Sequence, residues 1–151
     1  MTCQTKTLTA LLVLGCLLAA ALPARAAPTI SAFVTATTED DYPVESADNT
    51  FGCRDKIFAV IDLAGLAPGQ HLLLVDWIDP GGKYRERIDH KFTSSDSARI
   101  TVWLQLHPPT GAALVSAFNP AVGMAEFIGE WRVEIRVDDS AQAREHFEVL
   151  C

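Results

Sequence analysis

The sequence predicts an all-β protein, a sandwich of about seven antiparallel strands preceded by a signal peptide. Three observations carry that prediction. Runs of seven to ten residues rich in β-branched and aromatic side chains recur between turn signals. The run "WRVEIRV" (131–137) alternates strictly, with Trp131, Val133, Ile135 and Val137 on one face and Arg132, Glu134 and Arg136 on the other. No helical period of any length follows the leader, so the strands must bury their apolar faces against one another.

The leader comes first. Lys6 precedes an apolar run from Leu8 to Leu22, Pro23 breaks it, and Ala24-Arg25-Ala26 supplies the small residues of a cleavage site. Residues 1–26 therefore read as a secretory signal peptide, too short and poorly flanked to span a membrane. The alternative is a lipid anchor on Cys16 within "VLGC". It is disfavoured because the apolar run continues beyond Cys16, so that cut would leave half the hydrophobic segment in place. The expected mature chain, 27–151, is one domain with room for a proper core. The leader removes two cations and no acids, which leaves a mature net charge of −9. Such a domain repels nucleic acid and anionic lipid, so neither is an expected partner.

After the leader, "TISAFVTAT" (29–37) is a first strand, and the acidic stretch "EDDYPVESADNTFGC" (39–53) reads as a surface loop. "KIFAVIDL" (56–63) is apolar almost throughout, as expected of a central strand buried on both sides. "HLLLVDWI" and "KYRERIDHKF" flank "DPGG" and should pair as a hairpin. With Pro80 and Gly81 as the loop, Trp77 faces Tyr84, Leu73 faces Ile88, His71 faces His90, and Asp76 meets Arg85. A bulged turn on Gly82 would instead oppose Asp76 and Glu86, and the like charges disfavour it. Further strands are 98–106, 131–137 and 143–150. In the last, Phe147 and Val149 share parity with Cys151, so Cys151 is expected to point inward.

Loss of the leader leaves two cysteines, Cys53 and Cys151. In an oxidising compartment they read as one disulfide fastening the final strand to the segment before the first long core strand. Closing a loop of that length stabilises by about 4–5 kcal/mol in the chain-entropy model. No C-x-x-C suggests redox exchange.

The combination of "GLAPGQHLLLVDWIDPGG" with the closing "GEWRVEIRVDDSAQAREHFEVL" resembles the immunoglobulin-like domains of bacterial exported proteins. Their pattern has a Pro-Gly turn, a strand bearing a Trp, and a terminal G-x-W-x-V hairpin. The resemblance covers residues 56–150 and implies a fold rather than an activity. It departs from antibody-type domains in that Cys53 precedes its strand and Cys151 follows its own.

Candidate chemistry is sparse. No G-x-S-x-G presents a serine nucleophile. His71 and His90, if opposite one another, could share a metal ion with His107 or Glu86 as a third ligand, the alternative being two half-exposed histidines at a strand end. His146 has no partner by spacing. Glu39, Asp40, Asp41 and Asp48 lack calcium-loop spacing and read as a solvated run. The segment 107–129 is long for a connection, with one formal charge at Glu126, and offers Phe118, Met124, Phe127 and Ile128 as candidate partner-binding residues. The alternative is a short strand, "AALVSA", with aromatics plugging one end of the sandwich. The expectation is a non-enzymatic periplasmic or secreted module, without cofactor, that binds a protein or envelope polymer. A small periplasmic metal-binding protein using His71 and His90 is the alternative.

Overall fold

The computed structural model describes residues 27–107, 124–139 and 141–151. The expected signal peptide, the "AALVSA" strand and Phe118 lie outside the described residues. Among the described residues ten strands form three sheets. In chain order they are β1 (Thr29–Thr35), β2 (Thr38–Glu39), β3 (Tyr42–Pro43), β4 (Thr50–Gly52), β5 (Lys56–Ala64), β6 (Gly69–Ile78), β7 (Tyr84–Ser94), β8 (Ala98–Gln105), β9 (Gly129–Val137) and β10 (Ala141–Leu150). One 3-10 turn, Ala125–Phe127, precedes β9, and the described residues contain no α-helix.

One layer of the sandwich is a three-stranded sheet in the order β1-β5-β8, and the other a five-stranded sheet in the order β4-β10-β9-β6-β7. All neighbours are antiparallel except β4, which runs parallel to β10. The inward residues of each strand follow the period of two: Ile57, Ala59, Ile61 and Leu63 from β5 meet Leu73, Val75 and Trp77 from β6, and Trp131, Val133, Ile135 and Val137 from β9. Burying each such side chain favours folding by about 1.5–3 kcal/mol. Phe147 is the hub of an aromatic cluster, with ring centroids 5.9 Å from Trp131, 5.9 Å from Trp77 and 5.6 Å from Phe51.

The seven long strands stand where the alternation places them, whereas the acidic stretch 39–53 is more ordered than a loop. Asp40 and Asp41 adopt φ of 48° and 68° and turn β2 into β3. Aspartate tolerates this left-handed region better than most residues, so the charges that read as loop also make a tight hairpin. β4 then joins the edge of the five-stranded sheet, with Phe51 buried against Phe147.

The Cys53–Cys151 disulfide prolongs that edge. Its Cα atoms are 5.3 Å apart, and Gly52 pairs with Leu150, so the bond continues the parallel register by one residue. It lies within one sheet and does not cross the core. Cys53 is buried, but Cys151 is exposed, contrary to the inward direction its parity implies. The strand ends at Leu150, so Cys151 lies just beyond it, bonded to the buried Cys53.

The hairpin register also differs from both expected ones. Ile78 pairs with Tyr84 and Trp77 with Glu86, leaving Arg85 as a bulge. Leu73 therefore faces His90, His71 faces Phe92, and Asp76 faces Arg87. The cause is Asp79. Its backbone N–H donates to Lys83 O at 3.0 Å, its Oδ1 accepts Lys83 N–H at 2.8 Å, and Gly82, at φ 80°, donates to Asp79 O at 2.9 Å. A five-residue loop closed by this carboxylate replaces the two-residue turn. β5 is central as expected, but only its inner face and Val60 are fully buried; Phe58 and Asp62 are half-exposed.

Candidate functional site

The outer face of the five-stranded sheet is a network of paired charges. Asp76 and Glu134 are directly opposite on β6 and β9, an arrangement that is unfavourable by itself. Four arginines offset it. Arg87 Nε and Nη2 donate to Asp76 at 2.6 and 3.1 Å, and Arg136 Nη2 donates at 2.9 Å. Glu134 is held at 3.0 Å by both Arg132 and Arg144. Asp76 is only 1% exposed. Its burial pushes the carboxyl upward, but the Arg87 and Arg136 guanidinium groups outweigh that and hold it below the usual range.

The histidine pair expected as metal ligands is not formed. His71, 8% exposed, places Nδ1 2.5 Å from Asp138 Oδ2 and Nε2 2.7 Å from Ala67 O. Both partners are acceptors, so the ring is at home as an imidazolium with neither nitrogen left for a metal. The Asp138 hydrogen bond and then the Ala67 carbonyl raise its pKa against the opposing effect of burial. His90 is displaced by two positions and stacks on Phe92, which lies between the two imidazoles. No group of three His, Cys, Asp or Glu among the described residues is placed to hold a metal ion. His146 contacts Glu130 at 2.9 Å on the surface.

Of the candidate partner residues, Met124 is 1% exposed and belongs to the core, so it is not a surface element. Phe127 and Ile128 are half-buried against that core. Phe127 stacks on Trp131 at 6.2 Å, and its carbonyl accepts the Trp131 indole N–H at 2.7 Å. Arg85, freed from the ladder by the bulge, lies 4.6 Å from the Phe127 ring centroid and bridges Asp79 and Glu126. This end of segment 107–129 is thus packed against the top of the sandwich, because its apolar side chains find the ends of β6 and β9.

The outer face of the three-stranded sheet is different. Phe58 on β5 is flanked by Thr35 on β1 and Trp103 on β8, and the adjoining row is Phe33, Val60 and Thr101. Trp103 is 48% exposed. The Lys56 ammonium lies 4.5 Å from its centroid and 5.0 Å from that of Phe58, a cation–π arrangement over both rings. One end of this apolar strip meets a bidentate Asp62–Arg99 pair at 2.6 and 2.8 Å. The other opens into a cleft of about 460 Å³ lined by Thr38, Asp41, Asp55, Lys56 and Phe58 among others. β8 is also an edge strand. The signal for this surface is present in "ARITVWLQL": Trp103 shares parity with Arg99, Thr101 and Gln105, an aromatic on the polar face of its strand.

No family model matches the chain, and no curated protein matches its sequence. Among solved structures it is similar to the alkylpurine DNA glycosylase AlkC of Pseudomonas fluorescens, with a TM-score of 0.48 and 14% identity over 83% of this chain and 31% of that one. It is similar to a CARDB domain from Pyrococcus furiosus, with a TM-score of 0.45 and 9% identity over 82% of this chain and 90% of the other. A β-glucosidase from Listeria innocua gives a TM-score of 0.45 and 8% identity over 81% of this chain. This chain spans about a third of the first protein and about a sixth of the third. Among the described residues no helix is long and apolar enough to cross a membrane.

Proposed function

We propose that the chain is an exported, non-catalytic, immunoglobulin-like module that binds a protein or polymer partner through the outer face of its three-stranded sheet. The observation that carries this reading is Trp103, a large aromatic half-exposed beside Phe58 on a face that the core does not need. Large aromatics concentrate at recognition surfaces because they offer wide contact at low entropic cost. The immunoglobulin-like assignment draws support from the strand grouping. β1, β5 and β8 correspond to A, B and E of such domains, while β6, β7, β9 and β10 correspond to C, C′, F and G, with Trp77 buried on the C position. Export, to the periplasm or the medium, draws support from the leader and the disulfide.

The test is photo-crosslinking in cells with a benzophenone amino acid at position 103, compared with position 142 on the opposite outer face. Adducts from 103 and none from 142 are the expected result. Absence of adducts at 103, or equal yields from both, overturns the reading.

A further inference from the structure

We infer that the ligand of this face is an uncharged polysaccharide, with a sugar ring lying on Trp103 and Phe58 and its hydroxyls bonded in the adjoining cleft. The inference rests on the binding reading above and names its partner.

The chemistry of the surface selects the ligand. Phe58 and Trp103 are direct cross-strand neighbours, so they form a continuous apolar floor on a flat sheet. At its margin Asp41, Asp55, Lys56 and Thr38 converge from the β2–β3 turn, the β4–β5 link and the start of β5 around one cleft. An apolar side chain laid there would cover two carboxylates and an ammonium without hydrogen-bonding them, which is unfavourable. A polyanion would meet Asp41 and Asp55 on a chain of net charge −7. A neutral sugar avoids both conflicts. Its C–H face rests on the aromatic rings, its hydroxyls donate to carboxylate oxygens, and they accept from Lys56 and Thr38. Lys56 lies over the two rings, and its flexible stem would let the ammonium move to a hydroxyl as a sugar stacks.

The chain carries its own reporter. Of its three tryptophans, Trp77 and Trp131 are fully buried and Trp103 is half-exposed. Acrylamide quenching therefore reads mainly Trp103. The experiment titrates the oxidised protein with cellohexaose, maltohexaose and the hexamer of N-acetylglucosamine. At least one should shift the emission to the blue and protect it from acrylamide. By calorimetry, Trp103→Ala should weaken that sugar at least about tenfold. Asp41→Asn, which keeps a residue tolerant of the left-handed backbone, should weaken it several-fold. Arg144→Ala, on the far face, should leave it unchanged, and melting curves confirm that each variant is folded. If no hexasaccharide protects Trp103, or if binding survives Trp103→Ala, the polysaccharide assignment is overturned. Protein adducts at position 103 would then preserve the wider reading, whereas no adducts would remove both.

Discussion

The two outer faces of the sandwich solve the same problem in opposite ways. Each is the face of a β-sheet turned away from the shared core. On the five-stranded sheet, Asp76 and Glu134 are each paired with two arginines. On the three-stranded sheet, Phe58 and Trp103 form an apolar strip and a cleft opens at its end. Paired charges on a sheet surface stabilise the fold, whereas an exposed Trp gains little from it. The contrast assigns stability to one face and, on the reading proposed above, recognition to the other.

The most direct way to break the contrast is at Asp76. Asp76→Ala removes three charge-assisted hydrogen bonds from a buried carboxylate. Hydrogen bonds to charged groups are worth more than neutral ones, but Arg87 and Arg136 are more than a third exposed and regain water once released. The expected loss is about 2 kcal/mol, measured as a shift of the urea midpoint at constant slope. A loss no larger than that of an ordinary surface substitution would show that the network is ornamental, and the division between the faces would fall with it.

A second, smaller effect comes from the titratable clamp at the start of β6. His71 has its pKa raised from 6.5, so its contribution is complete below about 6.5 and is lost as pH rises through the folded value. Asp138 is pushed up by burial but drawn down further by His71 and the Leu72 N–H, ending below 3.8. Its contribution exists above its unfolded value and is lost as pH falls through the lowered folded value. The pair therefore acts between these limits. Thermal melts at about pH 6 and about pH 8.5 should show the wild type losing stability at the higher pH relative to His71→Phe. Parallel curves for the two proteins would mean that the His71–Asp138 contact does not depend on charge.

Much of this architecture was legible from the alternation of residues. All seven long strands were placed to within a few residues because each shows one apolar face, and Cys53 and Cys151 were paired because compartment and number allowed one connectivity. What was not legible depends on groups distant in sequence or on very short elements. The hairpin register turns on the Asp79 carboxylate, which meets Lys83, Arg85 and the segment around Glu126. With the register shifted, the His71–His90 pair dissolved, although a favourable Asp–Arg pair survived with Arg87 in place of Arg85. β4 has three residues, too few for any period to show. The proposed recognition face was missed for another reason: strand parity places Trp103 outward, but only the assembled sheets show that it stays about half exposed.

The smallest expected effect on stability is the sharpest test of the contrast. Trp103→Ala removes a side chain that is half in water and rests on Lys56 and its β-sheet neighbours. A buried Trp in the core would cost about 3–5 kcal/mol on the same change. Here the lost burial is partial, and Lys56 keeps its place over Phe58. Surface substitutions away from special features change stability by about 0.5 kcal/mol or less, and the expected loss is within about 1 kcal/mol. Urea unfolding of Trp103→Ala beside Trp131→Ala makes the comparison within one protein, because Trp131 is fully buried and its indole N–H is bonded to Phe127. If Trp103→Ala were as damaging as Trp131→Ala, the aromatic strip would be part of the fold, and its exposure would no longer argue for a partner. If it is nearly silent in stability yet weakens sugar binding by calorimetry, the residue is retained for binding, and the two faces are divided by role as well as by chemistry.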